Sequence, residues 1–213
     1  MRRLSKVDHI TYVVRRDTIV RWAWWYLEVL GGTLILRVDD TNPNDKSSMM
    51  LWCIDYDDFG VALVAGIDRE EKSHVTAFVE QHGDHCVQHV AFQVDDLHTF
   101  RDDMTAKAGL SLLGPILQRK DAFGWVRQVF AKSHHGDTNP AAAPFTEFVE
   151  RPNKRGEAFP EISFSADVGT NLYHQAQRAM KVDDRAVMID FSKMPPGWEM
   201  PHVAPRDVEP SKG

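Results

Sequence analysis

The sequence predicts an α+β fold in which two βαβββ units form one curved, half-closed barrel. Two apolar, β-branched runs about eighty residues apart, at 7–14 and 87–94, each carry one histidine at the same point. Each run precedes a helical pattern of apolar residues that ends at glycine, and three further strand-like runs follow. Because the same order of elements occurs twice, we interpret the chain as one duplicated domain.

Each element of the first unit has its own signal. Asp17 is placed to cap a helix, and Gly31-Gly32 ends it. The apolar positions of this helix are Ile19, Trp22, Trp25, Tyr26 and Val29. Strand-like runs then follow at 33–38, 48–54 and 60–65, with turn-rich segments between them.

The second unit repeats this order. Asp95-Asp96 precedes a second helical pattern, which Gly109 ends. Its predicted strands lie at 110–117, 124–132 and 145–151. The segment 70–83 connects the two units and is predicted to contain a short helix.

The repeat also predicts the domain boundaries. Residues 1–152 contain the paired units, at about 7–66 and 86–151, and residues 153–213 lie outside them. In this C-terminal part, 169–180 has helical spacing, and the prolines beyond it rule out a long helix. We therefore expect a C-terminal helix followed by a proline-rich arm.

Composition narrows the class of partner. The net charge is −6 and no basic run occurs, so nucleic acid is not an expected partner. No apolar run reaches membrane-spanning length, so no membrane association is expected. Two distant cysteines form no disulfide framework, which favours a reducing cytoplasm. The expected partner is a small molecule, and the barrel and arm also offer surface for a homodimer.

The two strand histidines, His9 and His89, combine with a carboxylate in a third strand. Glu147 shares its strand face with Phe145 and Val149, whereas Glu150 points to the opposite face. A carboxylate on an apolar face needs a partner, because an uncompensated buried charge is costly. Two imidazoles and one carboxylate are the ligand set of a divalent metal site with open positions. The sequence therefore predicts a metal site at these three residues.

Other residues offer further chemistry. Gln128 shares a strand face with Val126 and Phe130, where its amide can hold a substrate carboxylate or carbonyl or satisfy neighbouring polar groups. A rival zinc site is conceivable within one segment, at His82, His85, Cys86 and His89. A turn at Gly83-Asp84 disfavours it. Trp22, Trp24 and Trp25 make the first helix unusually aromatic, and we interpret this helix as packing against the sheet rather than as a stacking platform.

At these residues the chain resembles a known family. The strands around His9, His89 and Glu147 look like the metal-binding strands of the vicinal oxygen chelate superfamily. More narrowly, they are similar to the catalytic C-terminal half of the 4-hydroxyphenylpyruvate dioxygenase and hydroxymandelate synthase family. Arg127-Gln128-Val129-Phe130 resembles the strand that carries the family's substrate-contacting glutamine. The resemblance spans roughly residues 7–165.

The resemblance implies a cofactor and an activity. It implies an Fe(II) centre held by His9, His89 and Glu147, with Gln128 as a catalytic residue that contacts the substrate. In the family a 2-oxo acid chelates the iron and is decarboxylated as O2 is consumed. Mn, Co, Ni or Zn are alternative metals. The strand at 60–65 lacks the family's expected substrate-contacting residues, so we expect a substrate other than 4-hydroxyphenylpyruvate.

Three functions remain open from the sequence. The leading hypothesis is a non-haem Fe(II) dioxygenase or hydroxylase that acts on a small oxygen-chelating substrate. The second is a redox-neutral lyase or isomerase, or an extradiol-type ring-cleaving dioxygenase, of the same superfamily. Glyoxalase-like members draw a fourth ligand from the first unit's last strand, and Leu63 and its neighbours offer none. The third is a non-catalytic protein that binds a small molecule.

Overall fold

A computed structural model describes residues 4–121, 124–132 and 143–151. The predicted C-terminal helix at 169–180, the proline-rich arm and most of the loop at 133–144 lie outside these residues. The described strands form one sheet in the order β2-β3-β4-β1-β5-β8-β7-β6. Their bounds are β1 Lys6–Val13, β2 Thr33–Val38, β3 Ser47–Asp55, β4 Gly60–Asp68, β5 Cys86–Gln93, β6 Leu117–Asp121, β7 Gly124–Phe130 and β8 Phe145–Glu150.

The strand pairing confirms the predicted duplication. β1 pairs with β4 in parallel, and β5 pairs with β8 in parallel. The two units join through the antiparallel pair β1–β5, so both histidine strands lie at the centre of the sheet. The predicted fold class, a curled α+β half-barrel, is confirmed.

One predicted strand of the second unit is wrong in its bounds. The sequence predicts a strand at 110–117, but β6 begins only at Leu117, and Leu112 forms an isolated bridge with Ala131. Gly114-Pro115 interrupts the run. Proline has no N–H to donate to the ladder, so the chain turns there before it pairs again.

The first helix also differs from its prediction. It starts as α1 (Ile19–Trp24) and continues as a π-helical turn over Trp25–Val29. Thr18, not Asp17, stands at its N-terminal cap. The buried side chains are Ile19, Ala23 and Tyr26, while Trp24, Trp25 and Val29 are exposed. A π-turn is wider than an α-turn and so shifts the side chains that follow around the helix axis. The helix packs on the sheet as predicted, but two of its predicted apolar positions, Trp25 and Val29, are exposed.

The other two helices agree with the sequence. α2 spans His74–His82 in the connection between the units and is capped by the Ser73 side chain. α3 spans Leu97–Ala108, where the Asp96 carboxylate accepts a hydrogen bond from the Thr99 N–H. Gly109 ends α3 in the left-handed conformation, with φ of 62°. None of the helices in the described ranges is long and apolar enough to cross a membrane.

The first helix and α3 pack on one face of the sheet, whereas α2 packs on the other face, which also holds a cavity. The first helix packs against Ile54, Leu63 and neighbouring apolar side chains. In the second unit, Phe100 of α3 packs against Phe148 of β8, with ring centroids 4.7 Å apart. Side chains alternate along a strand, so the residues before and after Phe148 point to the opposite face. That face carries the predicted metal-binding residues.

Candidate metal centre

The side chains of His9, His89 and Glu147 converge on one point. His9 Nε2 lies 3.1 Å from Glu147 Oε2, and His89 Nε2 lies 3.3 Å from the same oxygen. One donor atom from each of the three residues lies within 4.8 Å of the others. Glu147 and His89 are buried, while His9 is about a quarter exposed.

The sheet register explains this convergence. His9 of β1 pairs with Ala91 of β5, and Ala91 pairs with Glu147 of β8. These three positions therefore form a row across adjacent strands. His89 lies two residues from Ala91 and points to the same face. The three residues lie far apart in the sequence, but the pairing of their strands brings them together.

The structure separates Glu147 from Glu150, as the strand faces predict. Glu150 accepts a hydrogen bond from the N–H of Leu97, at the start of α3, at 3.0 Å. Its other oxygen accepts one from Arg127 at 2.6 Å. Glu150 therefore stabilises a helix terminus on the far face of the sheet, and Glu147 alone of the two reaches the histidines.

The electrostatics of the three residues are tightly linked. Burial opposes a charge on His9, but the carboxylates of Glu147 and Asp8 outweigh it and raise the pKa of His9 to about 10. Burial would raise the pKa of Glu147, but the two histidines lower it. Burial lowers the pKa of His89. At neutral pH the metal-free site therefore holds a protonated His9, an ionised Glu147 and a neutral His89.

Asp8 and Arg151 support His9 from behind. Asp8 Oδ1 accepts a hydrogen bond from His9 Nδ1 at 3.0 Å, which directs Nε2 toward Glu147. Arg151 donates to both oxygens of Asp8, from Nε at 2.6 Å and from Nη2 at 2.9 Å. Burial would raise the pKa of Asp8, but His9 and Arg151 hold it well below its usual range. A carboxylate that orients a metal-facing histidine in this way is a common companion of metal sites.

A cavity of about 130 Å³ opens beside the three residues. The first unit supplies an apolar wall to it, from β2, β3 and β4. The polar side chains that line the cavity are Asp8, His9, Thr11, His74, Gln88, His89, Gln128, Glu147 and Arg151. The apolar side chains of the first unit that line it are Ile35, Leu36, Met49, Leu51, Cys53, Ile54, Val61, Ala62 and Val64. The cavity is therefore polar at the histidines and apolar across the first unit.

Gln128 lies where its sequence pattern predicts. It is buried on β7, lines the cavity, and pairs with Val149, two residues from Glu147 along β8. Gln88 is a second buried amide of the cavity wall, and its Oε1 lies 3.3 Å from His89 Nδ1. Sequence reasoning assigned no role to Gln88, although it directly precedes a predicted ligand.

The rival zinc site does not assemble. The His82 ring contacts Phe78, with centroids 4.4 Å apart, and the His85 ring stacks on Trp22 at 3.6 Å. Cys86 donates its thiol hydrogen to the carbonyl of Gly83. Within the described ranges, the His/Cys/Asp/Glu grouping that could hold a metal ion is that of His9, His89 and Glu147.

The donor set at these three residues fits a divalent metal ion. Adjacent ligands at an ion with bonds of about 2.1 Å lie about 3 Å apart, and Glu147 Oε2 lies at 3.1 and 3.3 Å from the two imidazoles. In the metal-free site the protonated His9 compensates the buried Glu147 carboxylate, and a bound metal ion would take over that role. Imidazole and carboxylate together suit Fe(II), Zn and other first-row ions.

Solved structures with the same fold include two related enzymes. A triple mutant of 4-hydroxymandelate synthase from Streptomyces coelicolor aligns with a TM-score of 0.67 and 18% identity, over 82% of this chain and 54% of that chain. A fusion protein of a xylose isomerase-like TIM barrel and 4-hydroxyphenylpyruvate dioxygenase aligns with a TM-score of 0.52 and 15% identity. That alignment covers 82% of this chain and 30% of that chain.

The two alignments and the paired βαβββ units decide the fold. The chain has the vicinal oxygen chelate fold. It spans about half the length of the synthase structure it matches. A methylmalonyl-CoA epimerase from Mycobacterium tuberculosis also aligns, with a TM-score of 0.48 and 20% identity, over 70% of this chain and 90% of that chain. No protein-family model and no curated protein sequence matches this chain.

Within this vicinal oxygen chelate fold, the two halves differ at one decisive position. Ala91 pairs with Glu147 in the second half, and its counterpart Thr11 pairs with Ala62 in the first. Ala62 is therefore the equivalent of Glu147, and it is buried and lines the cavity. It offers no donor atom. On the side of the site formed by the first unit, Ala62 therefore provides no ligand, whereas Glu147 of the second unit provides a carboxylate.

Sequence reasoning missed the support provided by Asp8 and Arg151. The signals were present, because Asp8 is a charged residue inside an apolar strand and directly precedes His9. Arg151 stands four residues after Glu147. Pairing of residues from opposite ends of the domain follows only once the strand order is known.

Proposed function

We propose that this protein is a non-haem Fe(II) dioxygenase or hydroxylase that acts on a small, oxygen-chelating substrate such as a 2-oxo acid. His9, His89 and Glu147 hold the metal. The observation that carries the proposal is the convergence of these three donors beside a cavity. The position equivalent to Glu147 in the first unit is Ala62, which provides no fourth ligand. Three protein ligands leave coordination positions for both a chelating substrate and O2.

The charges of the cavity support a monoanionic chelate. A divalent ion with the single carboxylate of Glu147 carries a net charge of +1. Among the described residues that line the cavity, Arg151 is the one lysine or arginine, and it is engaged by Asp8. A substrate carboxylate therefore finds its neutralising charge at the metal, which favours binding through oxygen atoms there.

The chain's own residues have distinct tasks in this proposal. Asp8 orients His9, and Arg151 keeps Asp8 ionised. Gln128 and Gln88 offer buried amides to substrate oxygens, while the apolar strands of the first unit surround the substrate body and exclude water. Bound Fe(II) supplies the redox chemistry and the Lewis acidity that reaction with O2 requires.

Oxygen uptake tests the proposal. The protein is prepared without O2 and loaded with Fe(II), and uptake is measured with a panel of 2-oxo acids and catechols. Aromatic 2-oxo acids are tested first, because the name of one matched protein contains 4-hydroxyphenylpyruvate. We expect substrate-dependent uptake that Glu147→Gln abolishes. The matched control is Glu150→Gln, which changes a carboxylate on the same strand but on the opposite face.

The outcomes separate the competing functions. Uptake with catechols alone identifies ring cleavage, and no uptake together with tightly bound zinc contradicts an oxygenase. Metal analysis of the purified protein then distinguishes Fe from Mn, Co, Ni and Zn. A non-catalytic binding protein would keep its small-molecule affinity after Glu147→Gln, whereas the proposed enzyme loses metal and turnover together.

A further inference from the structure

The hydroxyl of Thr11 is a buried polar group that directly contacts a proposed metal ligand. Thr11 lies two residues after His9 on β1, is 3% exposed, and lines the cavity. Its Oγ1 lies 2.9 Å from Nε2 of His89. Nε2 is the atom through which His89 faces Glu147, so the hydroxyl lies at the centre of the site.

Both ring nitrogens of His89 have oxygen neighbours. The Nδ1 atom lies 3.3 Å from the amide oxygen of Gln88, and Nε2 lies 3.3 Å from Oε2 of Glu147. In either neutral tautomer, Thr11 and Nε2 form a hydrogen bond in the metal-free protein, because the hydroxyl can donate or accept. A metal ion held by His89 would take the same Nε2 atom.

A metal ion bound to Nε2 would therefore end the hydrogen bond between Thr11 and His89. A buried hydroxyl without an acceptor is costly, so the freed O–H must find a new partner. The positive charge of the ion repels the hydroxyl proton, which turns away from the ion and toward an oxygen atom bound beside it. An oxygen atom of a chelating substrate would be such a partner.

We propose that Thr11 is a positioning residue that donates a hydrogen bond to the substrate oxygen coordinated next to His89. This inference rests on the proposed function, because it needs a metal-bound chelate. The pairing of β1 with β5 places a hydroxyl beside only one of the two histidines. Thr11 lies opposite His89, whereas the equivalent residue opposite His9 is Ala91, which has no hydroxyl. A hydroxyl on one side only gives the chelate a preferred orientation.

The charge of the chelate determines that orientation. Hydrogen bonds to an ionised acceptor are shorter and stronger than those between neutral groups. For a 2-oxo acid, Thr11 would therefore favour the carboxylate oxygen over the keto oxygen on the His89 side of the site. Thr11 thus selects ligands that present an anionic oxygen.

Binding of oxalate to the Co(II)-loaded protein tests this role without turnover. Oxalate is a chelating dicarboxylate, and the visible absorption of Co(II) reports its coordination. The variant Thr11→Val keeps the shape and β-branching of the side chain but removes the hydroxyl, and Thr11→Ser restores it. We expect oxalate affinity to fall about ten-fold or more in Thr11→Val and to stay within about three-fold of wild type in Thr11→Ser.

Metal affinity provides the second readout. Co(II) affinity, measured by competition with a chromophoric chelator, is expected to stay unchanged or to rise slightly in Thr11→Val, because the hydroxyl no longer competes for Nε2. The control is Thr146→Val, which removes a buried hydroxyl next to Glu147 on the opposite strand face. If Thr11→Val does not fold, Thr11→Ala carries the same test.

Each contrary outcome has a distinct meaning. A wild-type protein that takes up no Co(II) overturns the proposed function and this inference together. A Thr11→Val protein that binds both Co(II) and oxalate like wild type overturns the inference alone. A parallel loss of Co(II) in Thr11→Val would make Thr11 a metal ligand and would also overturn the positioning role.

Discussion

Arg151 holds both carboxylate oxygens of Asp8, at 2.6 and 2.9 Å, from the opposite end of the domain. Asp8 in turn accepts the Nδ1 proton of His9. These hydrogen bonds join the end of β8 to the start of β1 and orient the ring of His9, a proposed metal ligand. Both members of the ion pair are at least 90% shielded from solvent.

We expect Asp8→Asn to weaken metal binding and to destabilise the fold. An amide can still accept from His9, but it leaves the Arg151 charge buried without its carboxylate. Loss of such a supporting group costs about 10- to 100-fold in metal affinity, and loss of one partner of a buried ion pair costs about 3 kcal/mol of stability. Chelator competition and urea unfolding measure the two effects.

The control for this change is Asp102→Asn, which breaks the exposed pair with Arg101. Exposed pairs contribute at most about 1 kcal/mol. If Asp8→Asn matches this control in both stability and metal affinity, Asp8 has no supporting role.

The equivalence of Ala62 and Glu147 leads to a second prediction. Ala62→Glu places a second carboxylate at the open side of the site, so we expect tighter metal binding, by about ten-fold or more, since affinity rises with ligand charge. The new ligand occupies a position that the substrate needs, so turnover with 2-oxo acids falls at least as far. Ala62→Gln is the size-matched control. Unchanged turnover in Ala62→Glu would show that the open position lies elsewhere.

The pKa values of the metal-free site predict a proton linkage. His9 has a folded pKa of about 10 against about 6.5 in the unfolded chain, so it is protonated when the metal arrives at pH 7.5. A metal ligand must be neutral, and metal uptake therefore releases about one proton. Calorimetry in two buffers of different ionisation enthalpy counts it. No proton release would contradict the charge state assigned to His9.

The same shift predicts how metal-free stability depends on pH. The protonated His9 interacts with Glu147 and Asp8, so its contribution is fully present below about pH 6.5 and is lost as pH rises toward about 10. Unfolding in urea with EDTA, at several pH values in this window, is expected to show falling stability. His9→Gln should flatten that slope.

Gln128 provides a test of the substrate end of the site. Gln128→Leu keeps the size of the side chain but removes the amide from the cavity wall. We expect KM for a 2-oxo acid to rise about ten-fold, with metal affinity unchanged, because one hydrogen bond to a charged group is lost. Gln118→Leu on the neighbouring β6 is the control, since that side chain is exposed and binds Arg127. A fall in metal affinity would assign Gln128 a different role.

The sequence predicted which side chains converge, because their signals are local. The duplicated histidine strands, the alternation that separates Glu147 from Glu150, and the glycine that ends α3 are each visible within a few residues. Strand alternation is also what directs Gln128 to the cavity.

Features that depend on long-range contacts were missed. The pairing of Asp8 with Arg151 requires the strand order, and the contact between Thr11 and His89 requires the register of β1 with β5. The exposure of Trp25 and Val29 accompanies a π-turn that apolar spacing does not reveal. Gly114-Pro115 was a local signal for the later start of β6, but it was outweighed by the apolar run around it.

Two glycines of β4 offer a final prediction that separates effects on the site from effects on the fold. A Cβ added at Gly60 would lie 3.3 Å from Cβ of His9, its pairing partner on β1. A Cβ added at Gly66 would lie 2.1 Å from the Thr76 hydroxyl and 2.7 Å from the Thr76 backbone nitrogen in α2. The first contact requires a small shift of a proposed ligand, and the second requires the helix to move.

We therefore expect Gly60→Ala to lower metal affinity a few-fold with little loss of stability. Gly66→Ala should cost about 1–3 kcal/mol or more of stability, as overpacking does, and leave the affinity of the folded protein for metal unchanged. Chelator competition and urea unfolding, applied to both variants, distinguish the two outcomes. Equal effects of the two substitutions on metal affinity would mean that β4 acts on the site only through global stability, and not through the packing of Gly60 against His9.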